Sequence, residues 1–409
     1  MKRGRVMIRI KVGDFKLRYK EKKSINDVLD SGRLSEGARV REFEERWAEF
    51  IGARYCVAVN SGTSALIAGI HALKVSRGIP DGAKVITSAL TFIATANAIL
   101  ASGLKPVFVD VDRRTFVVTP EGIEAALDEH PDTAIVLPVH LMGYPVDMKK
   151  VLSAAARRGI AVMEDAAQAH GSRYGGRKLG VFGSLSCFSF YIAHNIQAGE
   201  MGAVVTDDGE LYRLVKKLKA HGRMCDCAVC VRAAGACPRL RDYGGEDDFD
   251  PRFYHDMFGF NFKAMEFQAA LGLVQLEKAD VILRKRQSNV GYLNAALSGL
   301  KKFLQLPRYS PRVSYLAYPL VLKRPDLFPR KRVRQELEKA GIETRPLFGC
   351  IPTQQPSYAD LRREYEGRLA NAEYLGNNGF YIGCHQYLVK RDLDHIIRTM
   401  KAIFTGREG

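Results

Sequence analysis

The sequence contains no run of eighteen or more apolar residues, so no stretch of it reads as a bilayer-spanning helix. It has a single tryptophan, no internal repeat and no low-complexity tract, which leaves out solenoids and linker-rich chains. Acidic residues are in deficit: 45 Asp and Glu stand against 62 Lys and Arg, a formal charge of +17. The basic residues are spread along helices and are not interleaved with aromatics, which argues against a nucleic-acid partner and favours anionic small ligands. The start, MKRGRVMIRIKVGDF, is basic but lacks a following apolar segment, so it reads as a mature start and the expected location is cytoplasmic.

What is present is a long alternation. YCVAV, KVITSAL, PVFVDV, TAIVLPVHL, IAVMEDA, SCFSFY and GAVVTDD read as short buried strands, separated by helical segments such as SGTSALIAGIHALK and TFIATANAILASG. That rhythm predicts a mainly parallel sheet with helices on both faces. We expect an N-terminal segment over 1–45 and a large cofactor-binding domain over 46–275. A long helix, MEFQAALGLVQLEKADVILRKRQSNVGYLNAALSGL, then opens a small α+β C-terminal domain over 276–409. The stretch 223–256 breaks the rhythm as an insert and loop carrying cysteines.

Three features carry chemistry. Asn60-Ser61-Gly62-Thr63-Ser64 follows a strand and opens a helix, which is either an anion site or an ordinary cap. Asp165 closes the strand IAVMED, where parallel sheets bind ligands; it would suit the protonated ring nitrogen of a pyridoxal-type cofactor, or cap a helix. Four of the eight cysteines, Cys225, Cys227, Cys230 and Cys237, fall within thirteen residues, a spacing that points to a metal before disulfides.

The order of these features, with Ser189 after them, resembles the DegT/DnrJ/EryC1/StrS sugar aminotransferases and dehydratases. The matching pieces include SGRLSEGARVREFEERWAEFIGARYCVAVNSGTSAL, EDAAQAHGSRYGGRKLGVFGSLSCFSFY, GFNFKAMEFQAALGLVQLEK and GIETRP, so the resemblance covers nearly the whole chain. It implies a type I aminotransferase fold, an α/β large domain with a mainly parallel sheet plus the small domain, and active sites at a homodimer interface. It implies that Gly62, Thr63 and Ser189 hold the cofactor phosphate, Phe92 stacks on the ring, Asp165 pairs with its nitrogen, Gln168 lies near its phenolic oxygen, and Asn261 reaches the phosphate of the other subunit. His140 and Arg345 are candidates for the substrate, with core packing and an ion pair as their alternatives.

One departure redirects the function. The family's aminotransferases carry a lysine in a loop that runs roughly FSFYPTKN; here it reads FSFYIAHN, with His194 in the lysine's place. An imidazole cannot hold the cofactor through a Schiff base, but it exchanges protons near neutral pH. Lys178 and Lys263 are nearby in sequence but off the motif. The substitution resembles the branch that uses pyridoxamine 5'-phosphate (PMP), in place of bound pyridoxal phosphate (PLP), to remove the C-3 hydroxyl of nucleotide-linked 4-keto-6-deoxy sugars. One subclass of that branch adds an iron–sulfur cluster and an electron-donating reductase. The insert resembles it in place, but Ala167 stands where the subclass has a ligand, and zinc fits four thiolates as well.

Overall fold

The computed structural model describes residues 8–225, 227, 253–347 and 351–406. The alternating apolar runs form strands β1 (Tyr55–Val59), β2 (Lys84–Ser88), β3 (Lys105–Val109), β4 (Thr133–Leu137) and β5 (Ala161–Asp165). After a two-stranded hairpin, β6 (Arg173–Tyr174) and β7 (Arg177–Lys178), come β8 (Leu185–Ser189) and β9 (Gly202–Thr206). Seven of these make one sheet in the order β1-β9-β8-β5-β4-β2-β3. The neighbours from β8 through β3 are parallel, and β9 runs antiparallel to both β1 and β8. Every residue of β5, β8 and β9 is buried, as a sheet covered on both faces requires.

The preceding helices are α1 (Tyr19–Asp30) and α2 (Ala38–Ile51). The covering helices α3 to α7 are Gly62–Arg77, Ile93–Ala101, Pro120–Glu129, Met148–Ala156 and Gly209–Leu218. The exposed edge of β1 is blocked by side chains. Glu44 accepts from the Ala58 N–H at 2.8 Å, and the buried Lys219 ammonium donates to the Ala58 carbonyl at 3.2 Å. With Ala58 paired in this way and Val59 bridged to Lys263, the edge offers little template for another strand.

The long helix expected from residue 265 to 300 is two helices, α8 (Glu266–Leu276) and α9 (Ala279–Ala296), separated at Lys278, whose φ and ψ are −101° and 4°. Neither glycine nor proline marks the break. Tertiary contacts impose it: α8 lies on α1 and α2, and Lys278 turns away to pair with the buried Glu21 at 2.6 Å. Glu266, at the start of α8, accepts from the N–H groups of Gly37, Arg39 and Val40, supplying the acceptors that the first turn of α2 lacks.

A second, antiparallel sheet has the order β10-β11-β13-β12, made from Leu304–Gln305, Tyr318–Leu322, Gly379–Ile382 and Thr344–Pro346. It carries α10 (Arg330–Lys339), α11 (Ala359–Glu364), α12 (Ala370–Asn378) and α13 (Lys390–Thr405). The N-terminal segment joins it, with Ile10 bridged to Ile342 and the Val12 N–H on Glu343 at 2.8 Å. Among the described residues, no helix is long and apolar enough to cross a membrane.

Candidate active site

The carboxyl ends of β5 and β8 and the amino ends of α3 and α4 meet at one place. Ser61 caps α3, its hydroxyl accepting from the Ser64 N–H at 3.1 Å. The N–H groups of Gly62 and Thr63, in the first turn, have no acceptor within the helix and form an anion site. Ser189 lies against this turn: a Cβ on Gly62 would come within 2.5 Å of the Ser189 Cβ. Behind it, a Cβ on Gly202 would meet the Ser61 carbonyl oxygen at 2.2 Å and the Gly62 nitrogen at 2.8 Å. Only glycine lets β9 lie this close to the helix start. Gly202→Ala is therefore expected to push the first turn of α3 outward, weakening phosphate-ester binding at least about tenfold (~1.4 kcal/mol). Titration of PLP against the variant checks it, and unchanged affinity would refute it.

Asp165 is buried at the end of β5, and burial raises its carboxyl above the ordinary range. Its oxygens accept from neutral groups, the Thr95 hydroxyl at 2.8 Å and the Ala167 N–H at 3.1 Å. The Thr95 hydroxyl is in turn paired with that of Thr91 at 2.7 Å. Phe92, beside Thr91 at the cap of α4, leaves 56% of its surface exposed, a large ring with an open face. A glycine cradle for a phosphate, a buried carboxylate suited to a cation and a bare aromatic face fit a pyridoxal-type cofactor.

His194 sits in the turn between β8 and β9, half-buried. Its Nδ1 is 2.7 Å from the Ser189 carbonyl oxygen. A carbonyl only accepts, so Nδ1 carries the hydrogen and Nε2 of the neutral ring keeps its lone pair. Burial lowers its pKa to about 4, with the Arg286 and Arg345 charges acting the same way and the Ser189 carbonyl opposing them. The ring of His170 stands edge-on to it, with centroids 6.1 Å apart. Lys178 does not approach the turn: its ammonium donates to the Phe50 carbonyl and lies 4.0 Å from the Phe50 ring centroid.

Burial also lowers His385 to about 4 and holds His170 well below the usual imidazole value. These three rings are neutral in the fold and titrate near ~6.5 when unfolded. Their contribution to stability is complete above that value and is lost as the pH falls through 6.5 toward 4, because the unfolded chain takes the protons first. For His385 alone the loss reaches about 3 kcal/mol by pH 4. Thermal melts of the cofactor-free protein should fall steeply across this window, and flat melts would contradict the placement.

Of the other expected residues, Gln168 accepts from the Met142 N–H at 2.9 Å, so its oxygen serves the loop after β4. His140 follows its core-packing alternative. It is fully buried, Nδ1 accepts from the Val146 N–H at 3.2 Å, and Nε2 is 3.0 Å from Glu164. Both ring nitrogens are thus taken by protein, which places it in the core and not toward a substrate. Arg345, on β12, pairs with Glu343 at 3.1 Å yet is near enough to depress His194. Asn261 is exposed, on the segment bridged to Ala220.

Cys225 and Cys227 line a cavity of about 460 Å³ together with Arg33, Lys216, Lys219, Arg223 and Lys263. Cys230 and Cys237 lie outside the described residues, and among those described no three His, Cys, Asp or Glu side chains are grouped to hold a metal. None of the residues placed around Asp165 and His194 lines this cavity.

Comparison with known proteins finds relatives that cover most of the chain. The chain is 32% identical to dTDP-4-dehydro-2,6-dideoxy-D-glucose 3-dehydratase of Saccharopolyspora spinosa, covering 90% of this chain and 80% of that one. It is also 32% identical to GDP-perosamine synthase of Caulobacter vibrioides, covering 97% and 98%. The solved E. coli GDP-4-keto-6-deoxy-D-mannose-3-dehydratase with bound hydrated PLP superposes with a TM-score of 0.84 at 26% identity, covering 97% of this chain and all of that one. The fold is that of the PLP-dependent type I aminotransferases. The family model for the DegT/DnrJ/EryC1/StrS aminotransferases spans residues 16–401, and the chain belongs to that family.

Proposed function

We propose that the chain is a PMP-dependent 3-dehydratase of a nucleotide-linked 4-keto-6-deoxy hexose. The observation that carries this reading is His194: an imidazole with Nδ1–H on the Ser189 carbonyl and Nε2 open stands where the family's aminotransferases place a lysine. When bound, the cofactor supplies a primary amine for the sugar ketone and a ring that takes up an electron pair. The first-turn N–H groups of Gly62 and Thr63, with Ser189, hold its phosphate. Phe92 covers one face of its ring, and Asp165 holds its ring nitrogen protonated. His194 takes a proton at Nε2 from the carbon beside the ring, and the imidazolium then donates that proton to the departing C-3 hydroxyl, which leaves as water. Its low pKa favours the base form at rest. Arg345, charged and half-buried near His194, suits the substrate's phosphates. The exposure of Asn261 agrees with a second copy of the chain completing the site.

The cysteine insert is read as a metal site, an iron–sulfur cluster fed by a reductase or a structural zinc. Identity to a perosamine synthase supports a second reading, amino transfer to the same class of ketone. The two separate by product. With PMP and a GDP- or dTDP-linked 4-keto-6-deoxy sugar, dehydration gives a 3-deoxy-4-keto sugar, the two electrons coming from PMP as it is converted to PLP with release of ammonia, whereas amino transfer leaves the nitrogen on a 4-amino sugar. Accumulation of the amino sugar would overturn the proposal. Iron, sulfide and zinc assays on anaerobically prepared protein decide the metal, and one zinc without iron would remove the cluster.

A further inference from the structure

α9 carries a buried polar pair, Arg286 and Asn289, one helical turn apart. Arg286 is fully buried, and among the described residues no carboxylate pairs with it. Its guanidinium meets backbone carbonyls instead: Nη1 donates to Leu316 at 2.8 Å and to Tyr315 at 3.3 Å, while Nη2 donates to His194 at 3.3 Å. Asn195 closes the ring from the other side, its Nδ2 donating to the carbonyls of Ser314 at 3.0 Å and Tyr315 at 3.3 Å. Gln197 donates to the same His194 carbonyl at 2.9 Å. Asn289 fixes the next segment, donating to the carbonyls of Cys384 and His385. Burying an arginine without a counter-charge is expensive unless its geometry is used, and a planar fork spanning three carbonyls is a use that lysine cannot copy.

We infer that Arg286 is the positioning residue of the His194 base: by gripping the His194 carbonyl against the 315–316 segment, it sets the imidazole with Nδ1–H on Ser189 and Nε2 open. The inference rests on the role proposed for His194. The groups facing that ring are His170 after β5, Tyr191 on its own turn, Arg286 from α9 and Arg345 from β12. Those facing the guanidinium are Cys384 and Tyr387, with His385 and Tyr315 beside them. The fixed charge of Arg286 acts with burial to keep the base deprotonated.

The test is nitrogen-detected NMR of the full-length, cofactor-free protein labelled at its nine histidines, with His194 assigned from His194→Asn. Wild type should show one neutral tautomer, hydrogen on Nδ1, titrating near pH 4. In Arg286→Met the midpoint should rise by about one unit or more, and the two tautomers should mix. Arg286→Lys keeps the charge but not the fork, so its midpoint should move less than about half a unit while the tautomers still mix. A folded Arg286→Met with the wild-type tautomer and midpoint overturns the inference. If that variant does not fold, a single wild-type tautomer in Arg286→Lys overturns it equally. With PMP and sugar, Arg286→Lys should lose kcat with little change in KM. Wild-type protein that behaves as expected by NMR but turns over no sugar would instead refute the dehydratase reading and leave the positioning role standing.

Discussion

Replacing His194 with asparagine is expected to lower kcat for dehydration about 10²- to 10⁴-fold while leaving PMP binding nearly unchanged. Asparagine keeps a donor for the Ser189 carbonyl, now held by Nδ1 at 2.7 Å. The contacts from Arg286 and Gln197 reach the backbone carbonyl of residue 194, so they survive any side-chain change. What disappears is the Nε2 lone pair. A steady-state assay of water loss, with PMP affinity measured separately, isolates that one atom, and turnover within a few-fold of wild type would end its assignment as the base. His194→Lys tests the position from the opposite direction. An amine on this turn should capture PLP covalently, giving a borohydride-reducible adduct that survives gel filtration. No adduct would mean that the turn does not face the ring.

Much of this arrangement is legible in the sequence, and the parts that are not share a cause. Glycines and strand ends declare themselves locally: Gly62 follows YCVAVNS and Asp165 closes IAVMED, each at the carboxyl end of an apolar run. The seven-stranded sheet follows from the same periodicity. The break between α8 and α9 is illegible because distant elements impose it, through Glu21 and the packing of α1 and α2. His140 stayed between substrate and core in the sequence because its partner is distant there: Glu164 lies on the adjacent strand and is shared with the N–H groups of Gly180, Phe182 and Gly183. Arg286 hides in the basic run RKRQ, where nothing distinguishes the one buried arginine from its solvated neighbours. Thr91 and Thr95 were readable in principle, being spaced four apart at the start of a helix, so that both hydroxyls face one way.

Those threonines lead to the second large effect. Asp165→Asn is expected to cut turnover about 10²- to 10³-fold and PMP affinity at least about tenfold, while the cofactor-free protein melts at the same temperature or higher. The opposite signs come from one fact. Burial raises the Asp165 carboxyl, because ionising it in the empty site leaves a desolvated charge relieved by the Thr95 hydroxyl, the Ala167 N–H and, less, by His140. Linkage gives the direction: its folded pKa lies above the unfolded one, so stability is greatest below ~3.8 and declines as the pH rises through the raised value. The amide removes that penalty: its oxygen accepts from the Ala167 N–H, and its Nδ2 donates to the Thr95 hydroxyl, which turns its own hydrogen toward Thr91. It cannot pair with a protonated ring nitrogen, the cation that would make the buried charge worth keeping. Thr95→Val should act more mildly on affinity, since it removes one hydrogen bond and leaves the charge. A variant at 165 that loses both stability and activity would point to a carboxylate that serves the fold, whereas one that gains stability and loses only the cofactor marks Asp165 as kept for the ring.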